Sequence, residues 1–359
     1  RFLTRFGPGL ISGAADDDPG GIATYSQAGA QLGPSILGQV ILMHPLVAAI
    51  QMVAARIGRV TGKGLAANLL LVFPRPVVVG LVALLFLANT VNIGADLAAM
   101  GAAAGLVTGL NQHLFTFGLA FLSLGLQIFV PYHRYVKLLK WMTLALFAYV
   151  GVVFAVRIQW ADIFRAIILP DLPMTASTLT LVVALFGTTI SPYLFFWQSS
   201  EEVEDDEADP TTGPLLTHPK DAHTQLTRIA WDTHLGMGFA GLIAFFIILT
   251  TSVTLHAAGI TDIQTSAEAA QALRPIAGDF AFLLFSLGVI GTGLLAVPVL
   301  AGSVAYAICE TNNWTFGLEK QAKEAPHFYG TIVAAVATGL AIGYSPLDPI
   351  KALFWSAVL

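Results

Sequence analysis

The chain has 359 residues, of which 56% are hydrophobic and 11% charged, with a formal net charge of −5 and a mean hydropathy of +0.75. Soluble domains carry about 25% charged residues, so the composition excludes a soluble globular domain and places the chain in a lipid bilayer as a polytopic protein. Net charge alone says little there, because its distribution matters more; no nucleic-acid partner is expected, and the single cysteine, Cys309, excludes a disulfide framework within one chain.

Ten apolar passages run along the sequence, at about 8–32, 35–57, 77–107, 112–131, 137–157, 177–200, 234–255, 279–309, 327–344 and, in part, from 347. The first contains Asp16-Asp17-Asp18 followed by Pro19-Gly20-Gly21. A carboxylate at bilayer depth is costly and normally faces a polar pathway. Proline removes a helical donor and glycine loosens the backbone, and lipid tolerates unwound backbone only where it is buried in protein or lines a cavity. The spacing therefore predicts a broken helix with acids and carbonyls at its break. Short interfacial helices are expected at Gly64 to Leu71 and Trp160 to Ile167, and an amphipathic helix from Asp221 to Trp231 ahead of the seventh passage.

The sixth passage carries a second break, Gly187-Thr188-Thr189-Ile190-Ser191-Pro192-Tyr193. Passages one to five and six to ten read as two repeats, residues 1–157 and 177–359 joined by a linker at 158–176, and each repeat opens with its broken helix. Interrupted helices at corresponding positions of two halves point to a transporter's midplane site. Pro298, in the eighth passage, is expected to make a simple kink. The sixth passage runs into Glu201-Glu202-Val203-Glu204-Asp205-Asp206-Glu207-Ala208-Asp209-Pro210, the longest hydrophilic stretch. Two readings stand for it: a solvated helix end leading into a disordered loop, or an acidic vestibule that concentrates cations.

With the N-terminus cytoplasmic, all but Arg157, Arg165, Arg274 and Lys351 of the 17 lysines and arginines fall on the cytoplasmic side. This satisfies the positive-inside rule. The chain starts at Arg1 and stops at Leu359 within an apolar stretch, so further sequence is expected at both ends.

The two breaks offer oxygen: the Asp18 carboxylate, carbonyls freed around Gly20 and Thr188, and the hydroxyls of Thr188, Thr189 and Ser191. Neither break contains cysteine or methionine, and His44 is the only histidine well inside a passage. Such a set suits Mg2+, Ca2+ or Mn2+ better than copper or zinc. Successive helical residues point about 100° apart, so the three aspartates cannot all face one ion. Asp18 is expected to bind directly, Asp17 through water, and Asp16 to cap the helix or face a vestibule. Asp96, in a passage with Asn89 and Asn92, reads either as a buried acid at a helix contact or as a pathway acid. Gln198 reads either as polar lining or as a helix contact.

Gly7-Pro8-Gly9 with Asp18-Pro19-Gly20 resembles the first helix of the NRAMP divalent-metal transporters, whose signature there is D-P-G-N. Gly187 to Tyr193 resembles the family's sixth-helix signature, close to G-A-T-I-M-P-H. The resemblance implies an all-α membrane protein of the LeuT fold, an inverted five-plus-five repeat with discontinuous helices 1 and 6, and metal uptake into the cytoplasm. It places helix 10 incomplete at Leu359. The family's metal-binding aspartate falls on Asp18. Its asparagine falls on Gly21, its sixth-helix alanine, which acts through a carbonyl, on Thr188, its methionine on Ser191 and its histidine on Tyr193. In the third helix D-L-A-E falls on Asp96-Leu97-Ala98-Ala99, without the glutamate, and a tenth-helix glutamine would fall on Ala357 in Trp355-Ser356-Ala357-Val358. These departures are similar to the NRAMP-related magnesium transporters, which implies a partly hydrated ion and weak or absent proton coupling.

The expected protein is therefore a monomeric carrier in a bacterial plasma membrane, not an enzyme, with the transported Mg2+ or Mn2+ in place of any cofactor. Its expected ligand set is Asp18, Gly21, Thr188, Ser191, Asp17 and Gly20, with Asp16, Asp96, Tyr193, Gln198, Glu201 and Glu202 around the site or along the pathway. The competing readings are a proton-coupled Mn2+/Fe2+ symporter, a Mg2+ channel, and a sodium-coupled organic-solute symporter. Three acids beside the first break oppose the last of these, because an anionic substrate group would have to bind there.

Overall fold

The structure, a computed structural model, describes residues 7–131, 134, 137, 141, 143–155, 158–208, 212–263 and 265–344. The described residues form α1 (Pro8–Asp16), α2 (Pro19–Leu32), α3 (Leu37–Thr61), α4 (Leu65–Val72), α5 (Arg75–Thr108), α6 (Gln112–Phe129), α7 (Ala148–Ala155), α8 (Trp160–Ile168), α9 (Ala176–Thr189), α10 (Pro192–Ala208), α11 (Ala222–Thr251), α12 (Ser266–Asn312) and α13 (Pro326–Gly343). Seven helical stretches among them are long and apolar enough to cross a membrane: Pro19–Thr61, Arg75–Thr108, Gln112–Phe129, Ala176–Ala208, Pro219–His256, Gly278–Asn312 and Pro326–Gly343. The ten expected passages condense in this way because α2 and α3 join into one stretch through a tight turn at Gly33–Ile36. Much of the fifth passage, and the tenth with Ala357, lie outside the described residues.

Both expected breaks are present. Asp18 adopts extended backbone, φ −65° and ψ 164°, the region to which a following proline confines its predecessor. Pro19 then starts α2 with its fixed φ and no donor to waste. The second break repeats the device: α9 ends at Thr189, and Pro192 opens α10. Short helices also form at the two positions expected for interfacial ones, as α4 and α8.

The structure refines three expectations. The amphipathic segment from Asp221 is not a separate helix but the first turns of α11, since neither glycine nor proline interrupts Ala222 to Leu235. In α12 the helical path departs at Gly278, φ +82° and ψ 171°. That conformation suits glycine, whereas Pro298 sits within continuous helix. The acidic stretch stays helical to Ala208 and is partly buried.

The helices pack around two apolar clusters. One gathers Leu97, Met100, Trp197, Tyr306 and Phe328 between α5, α10, α12 and α13. The other gathers Tyr25, Tyr149, Phe285 and Ile247 between α2, α7, α11 and α12. Leu42, Leu84 and Phe121 are exposed, as expected of side chains that face lipid. α1 crosses α11 backbone to backbone: a Cβ on Gly13 would stand 2.1 Å from the Gly236 carbonyl oxygen. Only glycine permits this approach, a recurrent device where helices meet in membranes.

Candidate functional site

α1 begins without a capping side chain of its own. Its donors are taken by Asp232 of α11, which accepts from the N–H groups of Gly7 (3.1 Å), Gly9 (2.8 Å) and Leu10 (3.3 Å). The short half-helix is thereby fixed at its start and delivers its last carbonyls to the break. The Tyr193 hydroxyl, at the start of α10, donates to the Ala15 carbonyl at 3.0 Å and ties one break to the other. Tyr25 of α2 makes a second tie, its hydroxyl 3.2 Å from Thr189 Oγ1.

Asp18 caps α2. Its Oδ1 accepts the Gly21 N–H at 2.6 Å, the role for which a short acid is preferred at this position. Asp96 of α5 supports the same helix start, accepting the Gly20 N–H at 3.3 Å. Asp96 is thus a buried acid at a helix contact, beside the first break.

The oxygens converge at Gly21. A Cβ placed there would lie 3.2 Å from the Asp16 carbonyl oxygen, 3.2 Å from Asp18 Oδ1 and 3.5 Å from Thr188 Oγ1. One carboxylate, one carbonyl and one hydroxyl, from the two helix breaks, therefore border the position that a side chain would occupy. The Asp16 carbonyl adds to the carbonyls expected around Gly20 and Thr188. Gly20 lies inside α2, where its carbonyl accepts the Thr24 hydroxyl at 3.1 Å. The Thr188 carbonyl accepts the Ser191 hydroxyl at 2.7 Å. Ser191 thus closes the end of α9 with its proton and keeps only lone pairs for anything else.

The electrostatics favour a cation. Asp16, Asp17, Asp18 and Asp96 are exposed by only 1%, 1%, 5% and 0%. Asp16 Oδ1, both oxygens of Asp17 and Asp96 Oδ2 have no hydrogen-bond donor. Among the described residues no lysine, arginine or histidine forms an ion pair with any of the four. Buried, unpaired carboxylates are costly, and a bound cation offsets that cost. No three carboxylate, imidazole or thiolate side chains converge at metal-ligand spacing among the described residues. The set at Gly21 accordingly mixes one carboxylate with neutral oxygens, which suits hard divalent ions.

Several expected pathway residues are engaged elsewhere. Gln198 uses both ends of its amide, accepting from Gln51 Nε2 at 2.6 Å and donating to Thr233 Oγ1 at 2.9 Å. It is a contact between α3, α10 and α11. Glu202 is buried in an ion pair with Arg228, and Asp206 pairs with Arg59 at 2.5 Å. Glu201 and Glu204 both contact the Tyr306 hydroxyl. Partners from α3, α11 and α12 draw Glu201, Glu202, Glu204 and Asp206 inward, while Asp205 and Glu207 are exposed at the end of α10.

The sequence reading missed the Asp16 carbonyl, Tyr25 and Asp232. For Asp232 a signal exists: the helix start Gly7-Pro8-Gly9 lacks a cap, and one acid stands alone in the apolar run of α11.

A family profile described as "Natural resistance-associated macrophage protein-like" matches residues 9–359. The divalent metal cation transporter MntH of Pectobacterium carotovorum is 29% identical over 318 residues, covering 84% of this chain and 71% of that protein. MntH of Yersinia pestis is 30% identical over 318 residues, covering 84% and 72%. Among solved structures, a manganese transporter of Eremococcus coleocola, in complex with an aromatic bis-isothiourea compound, superposes with a TM-score of 0.76 at 16% identity, over 99% of this chain and 75% of that one. Mhp1, a nucleobase-cation-symport-1 family transporter, superposes with a TM-score of 0.63 at 15% identity, over 97% and 74%. The fold is the LeuT fold, and the chain is a multi-pass integral membrane protein.

Proposed function

The chain belongs to the Nramp family, and from that premise we propose that it is a secondary transporter that imports divalent cations, preferring Mg2+ and also accepting Mn2+. The ion passes partly hydrated, by alternating access, with weak or no coupling to protons. The observation that carries this reading is the oxygen-only convergence at Gly21: the Asp16 carbonyl, Asp18 Oδ1 and Thr188 Oγ1 around a residue with no side chain. Mg2+ sheds water reluctantly and keeps several waters when bound, so it suits a site with few protein ligands and room beside them. Asp18 acts as the direct charged ligand, and Asp17, with both oxygens free of donors, accepts from the ion's waters. Asp16 contributes its carbonyl, and Ser191 a lone pair.

Absent coupling is supported by two side chains. Tyr193 stands where the resemblance implies a histidine, and its hydroxyl is committed to the Ala15 carbonyl. Ala99 stands where it implies a glutamate. The positive-inside bias supports a cytoplasmic N-terminus in a bacterial plasma membrane, and the protein works as a monomer. A second reading, a proton-coupled Mn2+/Fe2+ symporter, is favoured by the solved relative described as a manganese transporter. A pH-sensitive dye inside proteoliposomes separates the two. Mg2+ entry without acidification of the lumen supports the proposal, and acidification in step with metal entry rejects it.

A further inference from the structure

The far end of α10 holds an arrangement that the cation site does not use. Tyr306 of α12 is fully buried, and its hydroxyl oxygen lies 2.9 Å from Glu201 Oε1 and 2.7 Å from Glu204 Oε1. The two acids stand one turn apart on α10 and so can reach the same neighbour. A phenol carries one proton, whereas an ionised carboxylate can only accept. With both acids ionised, one of these two short contacts would set acceptor against acceptor. The trio is therefore satisfied only if one carboxyl carries a proton. Both oxygens of Glu204 already accept the Leu318 N–H, at 3.0 and 3.2 Å. The phenol then donates to Glu204 across its shorter contact, and the additional proton resides on Glu201, which donates to the phenol.

The surrounding charges leave that proton in place. Glu204 and Asp205 of α10 and Glu319, after α12, add negative charge around Glu201. Arg59 of α3 is engaged with Asp206, and Arg228 of α11 with Glu202 and Asp205. Glu310 of α12 accepts from the Ser200 hydroxyl and the Ala67 N–H. Lys320 lies over the Phe316 ring, and Arg75 of α5 donates to Asn312. α4 carries no charged residue, and the other charges of α1 and α5 are the carboxyls of the helix breaks. No cation among the described residues pairs with Glu201.

We propose that Glu201, Tyr306 and Glu204 form a proton-binding site that fastens α10 to α12, separate from the cation site at the helix breaks. The proton fits only while both helices supply their oxygens, so protonation and the α10–α12 contact favour one another reciprocally. Acidification at this end of the bundle strengthens the contact, and alkalinisation releases it. Because the proton enters and leaves at one end, it modulates movement of α10 without travelling with the metal. The inference does not depend on which ion is carried.

Infrared difference spectroscopy of the full chain in lipid nanodiscs, without metal, tests it at neutral pH. The wild type minus Glu201→Gln spectrum is expected to show the loss of one carboxylic-acid carbonyl band. Tyr306→Phe, which keeps the ring and removes the bridge, is expected to keep that band but move it to higher wavenumber, because the acid loses its hydrogen-bond partner, and in the wild type the band fades as pH rises. An acid band unchanged in Glu201→Gln and in Tyr306→Phe overturns the proposal. Should Glu201→Gln fail to fold, a shift of the band in Tyr306→Phe supports the proposal and an unshifted band overturns it. Because no transport is measured, failure here is distinct from failure of the proposed function.

Discussion

Replacing Gly21 by alanine separates stability from transport. Gly21 lies in the first turn of α2, where alanine gains about 0.5–1 kcal/mol in helix propensity. The new methyl would stand 3.2 Å from the Asp16 carbonyl and from Asp18 Oδ1, which is tight by a few tenths of an ångström, and at an ordinary 3.5 Å from Thr188 Oγ1. A small rotation of the Asp18 carboxylate relieves the crowding, so Gly21→Ala is expected to unfold within about 1 kcal/mol of the wild type. Transport should respond in the opposite sense. A methyl group takes up about the space of one water, roughly 30 Å3, at the point where the three oxygens meet. Losing one hydrogen-bonding contact to a hydrated ion costs about 1–3 kcal/mol, or about 5- to 150-fold. Mg2+ uptake into proteoliposomes should fall within that range, and Mn2+ uptake less. Thermal unfolding of the same preparation supplies the control. Mg2+ uptake at the wild-type rate, or a loss of uptake matched by a fall in unfolding temperature, would refute the reasoning.

Three further substitutions probe other parts of the account. Asp18→Asn keeps a capping oxygen for the Gly21 N–H but removes the charge, so uptake should be abolished with little loss of stability; Asp18→Ala should also lose about 1 kcal/mol with the cap. Normal uptake by Asp18→Asn would place the site elsewhere. Gly21→Asn combined with Ser191→Met adds an amide and a soft thioether, and competition assays should show a shift toward Mn2+ and Cd2+; unchanged selectivity would mean that these positions do not set it. Arg228→Met strands the buried Glu202 carboxylate. Breaking such a pair costs about 3–5 kcal/mol, and the lower end is expected because Arg228 is partly exposed. A denaturation midpoint equal to that of the wild type would contradict this.

Local chemistry made the breaks legible. A proline after Asp18 and after Ser191 dictates extended backbone and a fresh helix start, and both half-helices begin where those prolines stand. The sequence reading assigns the cap itself to the wrong acid: Asp16 is expected to cap a helix or face a vestibule, whereas Asp18, directly ahead of the proline, caps α2. What could not be read was the partner of each buried group. Which carbonyls face Gly21 depends on how α1 ends relative to α2, and the Asp16 carbonyl is one of them. In the run from Glu201 to Asp206 nothing nearby in sequence shows which acids turn inward; the partners of Glu201, Glu202, Glu204 and Asp206 come from α3, α11 and α12, whereas Asp205 stays exposed. Gln198 was ambiguous until Gln51 and Thr233 were found on either end of its amide. The break at Gly278 has a similar origin: a positive φ at glycine redirects the chain outright, and nothing in the sequence around it marks that position apart from the glycine itself.

The central claim is that a carboxylate and neutral oxygens at the two helix breaks carry a hydrated Mg2+ ion. Mg2+ uptake into proteoliposomes of the full chain, measured with Mn2+ as competitor at several imposed pH gradients, tests it most directly. The account predicts saturable Mg2+ entry that Mn2+ inhibits and that the pH gradient does not drive. Mn2+ entry that requires an inward proton gradient, with Mg2+ neither carried nor competing, would contradict it.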